Sequence, residues 1–248
     1  MGPAGAGKTT FCSALITHLT HSRRSCFYVN LDPAATDFNY APDLDIRDLI
    51  SLEDVMEEMS LGPNGGLLFC FEFLLQNLDF LAKAIEPLSE EYLIIFDLPG
   101  QIELYTHIPL LPELVKYLSR MGPLNINLCA AYLLEATFVM DKAKFFAGTL
   151  SAMSAMINIE LPHINVLSKI DLAVDSIMTG GSFKQLNRAV ARLIDDFSMV
   201  SFLQLDVNDE DSVAAILSYI DDAIQFQEAQ EPREPKEFDQ DEDEEEEE

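Results

Sequence analysis

The chain begins with a glycine-rich stretch that has the composition of a phosphate-binding loop. Residues 2–9, G-P-A-G-A-G-K-T, fit the spacing G-x-x-x-x-G-K-[ST] of a P-loop. Glycines let backbone N–H groups approach phosphate oxygens, the lysine reaches the β and γ phosphates, and the threonine hydroxyl binds Mg²⁺. The sequence therefore predicts a nucleotide-binding site, for which the candidate contacts are Gly2, Gly5, Ala6, Gly7, Lys8, Thr9 and Thr10.

An acidic residue ends the apolar stretch Y-L-I-I-F-D at residues 92–97, which L-P-G-Q follows at 98–101. Asp97 ends that stretch, where P-loop proteins place the carboxylate that completes the Mg²⁺ site with Thr9. The run D-L-P-G-Q also fits the D-x-x-G-Q pattern of the switch II segment in GTPases. Gln101 then occupies the position that orients the attacking water. The alternative interpretation is a strand followed by an ordinary Pro-Gly turn.

A third motif at residues 168–171 bears on the choice of base. Ser168, Lys169 and Asp171 fit the pattern N-K-x-D, with Ser in place of Asn. The Asp171 carboxylate would accept hydrogen bonds from guanine N1 and N2, which adenine does not offer, and the Lys169 stem would cover the base. The pattern favours GTP or GDP as the nucleotide. The alternative is a strand that happens to end in polar residues.

Strand-length and helix-length patterns alternate along the chain, which predicts an α/β fold with a mostly parallel sheet covered by helices on both faces, as in three-layer P-loop NTPases. Strands are predicted at 25–30, 92–97, 126–134, 163–169 and 200–206. Helices are predicted at about 8–21, 45–59, 66–86, 103–120, 138–158, 182–197 and 211–228. Ligands of such sheets bind at the carboxyl ends of the strands, where the three motifs lie.

The charge of the chain restricts its partners. The net charge is −28, and residues 234–248 contain eleven acids and one lysine. Removing the −10 of that segment leaves −18 on the rest, which argues against direct binding to nucleic acid or to an anionic membrane. No apolar run is long enough to predict a membrane span. We predict one domain over 1–227 and a disordered acidic tail over 228–248.

Three further segments indicate a family when they are combined with these motifs. N-L-D-P-A-A lies at residues 30–35, G-P-N at 62–64, and P-G-Q-I-E-L-Y-T-H-I-P at 99–109. Together they make the chain, to about residue 226, similar to the GPN-loop GTPases. The runs N-L-D-P-A-A-T-D-F-N-Y, G-G-L-L-F-C-F-E-F and E-P-K-E most resemble the third paralogue of that family.

The resemblance implies roles that spacing alone does not establish. The segment at about 60–66 would form the GPN loop, and its Asn64 would approach the γ phosphate or attacking water in the partner's site. Asp32 would lie near Mg²⁺ through its water shell, and Gln101 and Glu103 would position water. No arginine finger is evident, because Arg47 and Arg120 are interpreted as members of surface ion pairs.

The resemblance also implies partners and a location in the cell. Members of the family act as dimers in the assembly and nuclear import of RNA polymerase II, and the third paralogue pairs with the first. The expected partners are therefore a GPN-loop GTPase paralogue or a second copy, together with RNA polymerase II subunits. The expected location is cytoplasmic, and shuttling to the nucleus stays open. Two other functions stay open as well: a nucleotide-stabilised scaffold with little turnover, and a nucleotide kinase, against which the lack of an arginine-rich lid argues.

Only Met1 precedes the P-loop, although such a loop normally follows a buried strand. We therefore expect the first strand of the sheet to be missing from this chain, through a mis-assigned start or an alternative transcript. A missing inner strand leaves backbone groups of its neighbours unpaired. This form is expected to be less stable than one with the strand, and its binding of GTP is in question.

Overall fold

The computed structural model of this protein describes residues 1–89, 91–106, 108–119, 122–171 and 200–226. The helix predicted at 182–197 and the acidic tail from 228 onward lie outside the described residues. The predicted domain boundary at 227 therefore stays a prediction.

The described strands form two three-stranded sheets in which every pairing is parallel. They are β1 (Cys26–Asn30), β2 (Leu44–Asp45), β3 (Leu93–Asp97), β4 (Ala130–Glu135), β5 (His163–Ser168) and β6 (Phe202–Gln204). Their orders are β2-β1-β3 and β4-β5-β6. All five predicted strands are confirmed, but the one expected from residue 126 begins only at Ala130. The two-residue β2 was not predicted, because so short a segment carries no hydrophobic period.

Most described helices agree with the predicted ones, but the helix predicted at 45–59 begins only at Leu52, because Asp45 pairs in β2 and Ile46–Asp48 form a 3₁₀ turn. The described helices are α1 (Lys8–His21), α2 (Leu52–Met59), α3 (Pro63–Gln76), α4 (Asp79–Ile85), α5 (Glu103–Thr106), α6 (Leu110–Leu118), α7 (Lys142–Ile159) and α8 (Glu210–Ile224). The single helix predicted at 66–86 is wrong, because Asn77 leaves helical geometry and caps α3 with a side-chain bond to the Phe73 carbonyl. The helix predicted at 103–120 is likewise two helices, and α6 begins after Pro109.

Helices cover both faces of the strands, which confirms the predicted three-layer α/β architecture. On one face, Tyr28 of β1 and Leu133 of β4 pack with apolar residues of α1 and α8. On the other face, the neighbouring Val29 and Tyr132 pack with α3, α4, α5, α6 and α7. Because side chains alternate along a strand, adjacent residues serve opposite layers. This arrangement brings the carboxyl ends of β1, β3, β4 and β5 to one edge.

A cavity of about 230 Å³ separates the two sheets between β3 and β4. Its walls are mainly apolar and include Phe96, Leu128 and Ala131. At one end, the Met1 amine donates to the Ala131 carbonyl at 2.9 Å, and the Leu133 N–H donates to the Met1 carbonyl at 2.9 Å. These two bonds are the pattern of a parallel ladder. No strand of the described residues lies between β3 and β4.

Within the described part of the chain, no single helix is long and apolar enough to cross a membrane. The pair α3 and α4 meets that length and composition together, but it is bent by 64°. Both helices contribute fully buried residues to the core, including Phe71, Leu74 and Leu81.

Candidate nucleotide-binding site

The glycine-rich loop has a backbone that other residues would not adopt easily. Gly5 and Gly7 have φ of +76° and +81°, and α1 begins at Lys8 directly after them. A Cβ on Gly2 would lie 2.4 Å from the Leu133 carbonyl oxygen, so no side chain fits there. The loop therefore presents backbone N–H groups and the N-terminus of a 14-residue helix to one point, which suits phosphate.

Two side chains from the first turn of α1 make hydrogen bonds in the site, one to a strand end and one within the loop. The Thr9 hydroxyl donates to Asp97 Oδ2 at 2.6 Å, and Lys8 Nζ donates to the Pro3 carbonyl within the loop at 3.3 Å. Thr10, one residue later, is exposed. Burial lowers the pKa of Lys8, while the nearby carboxylates of Asp97 and Asp32 oppose that shift. The predicted pairing of Thr9 with the acid at the end of β3 is thus present.

Asp32 completes an oxygen-rich cluster with Thr9 and Asp97. It follows β1, and the preceding Leu31 N–H donates to the Asp97 carbonyl at 2.8 Å. Burial raises the pKa of Asp32 and the charge of Asp97 adds to this, whereas the Ala34 N–H opposes it. Two carboxylates and a hydroxyl are ligands suited to Mg²⁺, which keeps several waters and phosphate oxygens in its shell. The described residues contain no group of three His, Cys, Asp or Glu side chains that would make a complete protein cage.

The segment after β3 packs directly on the P-loop. A Cβ on Gly100 would lie 2.7 Å from the Ala4 Cα, so glycine is required for this approach. Gln101 Nε2 donates to Asn64 Oδ1 at 2.6 Å, which joins the segment to the first turn of α3 within one chain. Glu103 is the first residue of α5 and is exposed. The predicted trans role of Asn64 stays a prediction.

The predicted base motif lies at the end of β5, against the same loop. The Ser168 hydroxyl, fully buried, donates to the Ala6 carbonyl at 2.6 Å. The Lys169 stem lies over the loop, since a Cβ on Gly7 would be 3.9 Å from its Cε, and Lys169 Nζ donates to Glu135 Oε2 at 3.2 Å. Asp171 follows at the edge of the site and is half-exposed. Serine thus joins β5 to the P-loop at the position where the usual pattern has asparagine.

Sequence reasoning missed several residues that hold these segments in place. The Tyr105 hydroxyl donates to the Pro99 carbonyl and lies beside the Gly2 backbone, and burial raises its pKa well above the ordinary value. The Tyr28 hydroxyl donates to Asp97 Oδ2 at 3.3 Å. Arg47 pairs with Asp45 as an ion pair but also donates to the Ala35 carbonyl of the Asp32 loop. Arg120 lies outside the described residues. In the sequence, these contacts are signalled only by polar residues at strand ends, such as Asp97 of β3 and Asp45 of β2.

A P-loop joined to a D-x-x-G-Q segment and to an S-K-x-D segment, at one edge of a parallel sheet, defines a P-loop GTPase. Residues 1–226 match a family model described as a conserved hypothetical ATP-binding protein. The chain is 69% identical to GPN-loop GTPase 3 of Aspergillus fumigatus, over 96% of this chain and 94% of that protein. It is 57% identical to GPN-loop GTPase 3 of Gibberella zeae, over 95% and 94%. The chain therefore belongs to the GPN-loop GTPase family, and both of these relatives carry the name GPN-loop GTPase 3.

A solved structure supports the fold independently. The apo form of a GTPase from Pyrococcus abyssi superposes with a TM-score of 0.70, over 90% of this chain and 95% of that one. At 20% identity, this likeness establishes the fold alone.

Proposed function

We propose that this chain binds GTP with Mg²⁺ and hydrolyses it to GDP and phosphate. The observation that carries the proposal is that one P-loop is bonded to both motif-bearing strands. Thr9 joins it to Asp97 of β3, and Ser168 of β5 joins it to Ala6, each at 2.6 Å. The P-loop, the switch segment and the S-K-x-D segment thus meet at one point, which supports a single site for GTP and its hydrolysis.

The residues of the chain would act by positioning and charge stabilisation, without a covalent intermediate. The P-loop N–H groups and Lys8 would bind the β and γ phosphates, and the Gln101 amide would orient the attacking water. Thr9 and Asp97 would hold Mg²⁺, with Asp32 acting through water. Bound there, the ion would neutralise the charge that develops between the β and γ phosphates.

The base preference can be tested by an exchange of hydrogen-bonding groups. Asp171→Asn replaces a carboxylate acceptor by an amide that donates, which disfavours guanine but suits the 2-oxygen of xanthine. We expect GTP affinity to fall roughly 100-fold, since a charged hydrogen bond and its geometry are lost. Affinity for XTP should rise at the same time. The measurement is a titration of both proteins with GTP, XTP and ATP.

Each outcome of the titration has a defined meaning. Tight binding of GTP and weak binding of ATP by the natural sequence supports the proposal. Equal binding of ATP and GTP contradicts it and favours the description attached to the family model. In a separate assay with a nucleoside acceptor, transfer of the γ phosphate to the nucleoside instead of water would favour the nucleotide kinase.

The family also suggests a larger role, which we propose on weaker structural support. The chain would form a dimer, with a second copy or a GPN-loop GTPase paralogue, and Asn64 would act in the partner's site. Side chains on α7 support a protein interface, because Leu150 and Ile157 are 49% and 65% exposed and lie two turns apart on one face. Ile157→Asp should then abolish the dimer, measured by light scattering, while exposed Glu160→Lys serves as a control at the same helix end.

Within this proposal, the dimer assists the assembly and nuclear import of RNA polymerase II from the cytoplasm. Co-purification of RNA polymerase II subunits with the tagged chain, with and without GTP, tests the role. Retention of subunits that depends on GTP but not on hydrolysis would favour the nucleotide-stabilised scaffold. The acidic composition supports protein partners over direct contact with nucleic acid.

A further inference from the structure

A network of polar contacts lies behind the loop that carries Asp32. It joins the end of β1, the end of β2 and the short 3₁₀ turn at Ile46–Asp48 that follows β2. Its central residues are Asn30 and Asp45, which are 0% and 8% exposed. Buried amides and carboxylates persist only where their hydrogen bonds are made, so these contacts constrain the backbone around them.

The Asn30 side chain holds the Asp32 peptide from two sides. Its Oδ1 accepts the Asp32 N–H at 3.0 Å, and its Nδ2 donates to the Asp32 carbonyl at 3.1 Å. The same Nδ2 donates to Asp45 Oδ1 at 2.9 Å. The orientation of the Asn30 amide, and with it the position of Asp32, therefore depends on where the Asp45 carboxylate lies.

Arg47 fixes that carboxylate and reaches past it to the far end of the loop. Its Nε donates to both Asp45 oxygens at 3.0 Å, and its Nη2 donates to Oδ2 at 2.6 Å. Its Nη1 donates to the Ala35 carbonyl at 2.9 Å. Although burial alone would raise it, the hydrogen bonds from Arg47 and Asn30 hold the pKa of Asp45 below its ordinary value. Only the planar fork of arginine makes all of these bonds at once.

The same guanidinium also supports the second carboxylate of the site. Arg47 lies 5.0 Å from the centre of the Phe38 ring, and that ring meets Tyr28 edge-on at 6.2 Å. The Tyr28 hydroxyl donates to Asp97 Oδ2. Arg47 does not itself belong to the cluster of Thr9, Asp97 and Asp32. It is nevertheless connected to both carboxylates of that cluster.

We propose that Arg47 is a positioning residue of the Mg²⁺ site, which holds the Asp32 loop through Asp45, Asn30 and the Ala35 carbonyl and braces Asp97 through Phe38 and Tyr28. This inference rests on the proposed function. Loss of a residue that hydrogen-bonds to a metal ligand commonly weakens metal affinity tenfold or more.

The test compares two arginines that each pair with an acid and lie over a phenylalanine ring, at different places in the fold. Arg24 also pairs with an acid, Asp221, at 2.7 Å and stacks on a phenylalanine, Phe226, at 3.7 Å, but it follows the opposite end of α1 from the P-loop. Arg47→Lys and Arg24→Lys therefore each replace a guanidinium that pairs with an acid and lies over a ring, and each keeps the charge, but only Arg47 loses a fork of bonds to its carboxylate. The measurement is the binding of a fluorescent GTP analogue over a series of Mg²⁺ concentrations, beside a series in EDTA.

We expect Arg47→Lys to raise the Mg²⁺ concentration for half-maximal binding roughly tenfold. Its affinity in EDTA should stay within twofold of the natural protein, because the P-loop is unchanged. Arg24→Lys should change neither value. A shift below twofold in Arg47→Lys, an equal shift in Arg24→Lys, or an equal loss in EDTA overturns the inference.

The result stays interpretable if the first variant folds poorly. Phe38→Leu keeps the ion pair of Arg47 and removes its ring contact, and it should raise the Mg²⁺ requirement in the same direction by a smaller factor. If a folded Phe38→Leu protein needs the same Mg²⁺ concentration for half-maximal binding, Arg47 does not position Asp97 through the Phe38 ring. Failure of the natural protein to bind the analogue at any Mg²⁺ concentration contradicts the proposed function instead.

Discussion

The Gln101 side-chain amide donates to the Asn64 side-chain oxygen at 2.6 Å within a single chain. Gln101 comes from the segment after β3 and Asn64 from the first turn of α3, so the bond joins the two candidate catalytic segments. Asn64 follows the N-cap Gly62 and Pro63, the first residue of α3, and is exposed. The amide that would orient water is thereby held by the asparagine of the G-P-N motif.

Loss of this bond is expected to slow hydrolysis without weakening the binding of GTP. Asn64→Ala and Gln101→Ala should each lower kcat by roughly 10- to 1,000-fold, because a group that positions water acts mainly in the transition state. The dissociation constant for GTP should stay within about twofold, since neither residue belongs to the P-loop. The measurements are single-turnover hydrolysis and equilibrium binding.

Gln76→Ala provides the matched control, because Gln76 is an exposed amide at the other end of α3. Gln76→Ala should leave both kcat and the dissociation constant for GTP unchanged. Full hydrolysis by Asn64→Ala would show that the bond has no catalytic role. Loss of hydrolysis in either variant with unaffected binding and partner assembly would favour the nucleotide-stabilised scaffold.

The Ser168 hydroxyl is expected to contribute both to stability and to binding. Ser168→Ala leaves the buried Ala6 carbonyl without this donor, at a cost of about 1–3 kcal/mol. The thermal midpoint should fall by about 3–8 °C, and GTP affinity should fall roughly tenfold as the loop loses its connection to β5. Differential scanning fluorimetry and nucleotide titration measure the two effects.

Ser22→Ala removes a similar hydroxyl-to-carbonyl bond at the exposed end of α1 and serves as the comparison. Similar losses in the two variants would mean that Ser168 has no special role at the site.

Local sequence patterns predicted the site residues at the strand ends, but not the contacts between distant segments. Thr9, Asp97 and Ser168 each follow from a motif at the end of a strand or loop, because such a motif specifies its own geometry. The bond between Gln101 and Asn64 joins segments 37 residues apart, and only the packed fold brings them together. The break of α3 at Asn77 was also missed, because the apolar pattern continues through it into α4.

The cavity between β3 and β4 is expected to accept one more parallel strand. An added segment of about five β-branched residues ahead of Met1 would continue the ladder that Met1 already makes with β4. Apolar burial in the cavity, less the cost of ordering the segment, should stabilise the fold by about 3 kcal/mol. The thermal midpoint should then rise by about 10 °C.

An extension of equal length made of glycine and serine is the control, because it offers the same backbone without apolar side chains. Equal thermal midpoints for the two extended proteins would contradict the expectation that the cavity is a site for a strand.

The stability of the fold is expected to depend on the charge of His163 at the start of β5. Burial lowers the pKa of His163 from 6.5 to about 4, and its ring stacks on Tyr132 at 6.3 Å. The folded protein keeps this ring neutral while the unfolded chain takes up a proton below pH 6.5, so the stabilisation is complete above that pH and is lost as the pH falls toward 4.

His163→Phe keeps the ring contact and removes the proton site. Between pH 7 and pH 5, the natural protein should therefore lose about 3 °C more in thermal midpoint than the variant, after a discount for partial solvent exposure. His21→Phe, at a side chain that is 66% exposed, controls for the loss of a histidine. Equal falls in His163→Phe and the natural protein would show that His163 does not couple pH to folding.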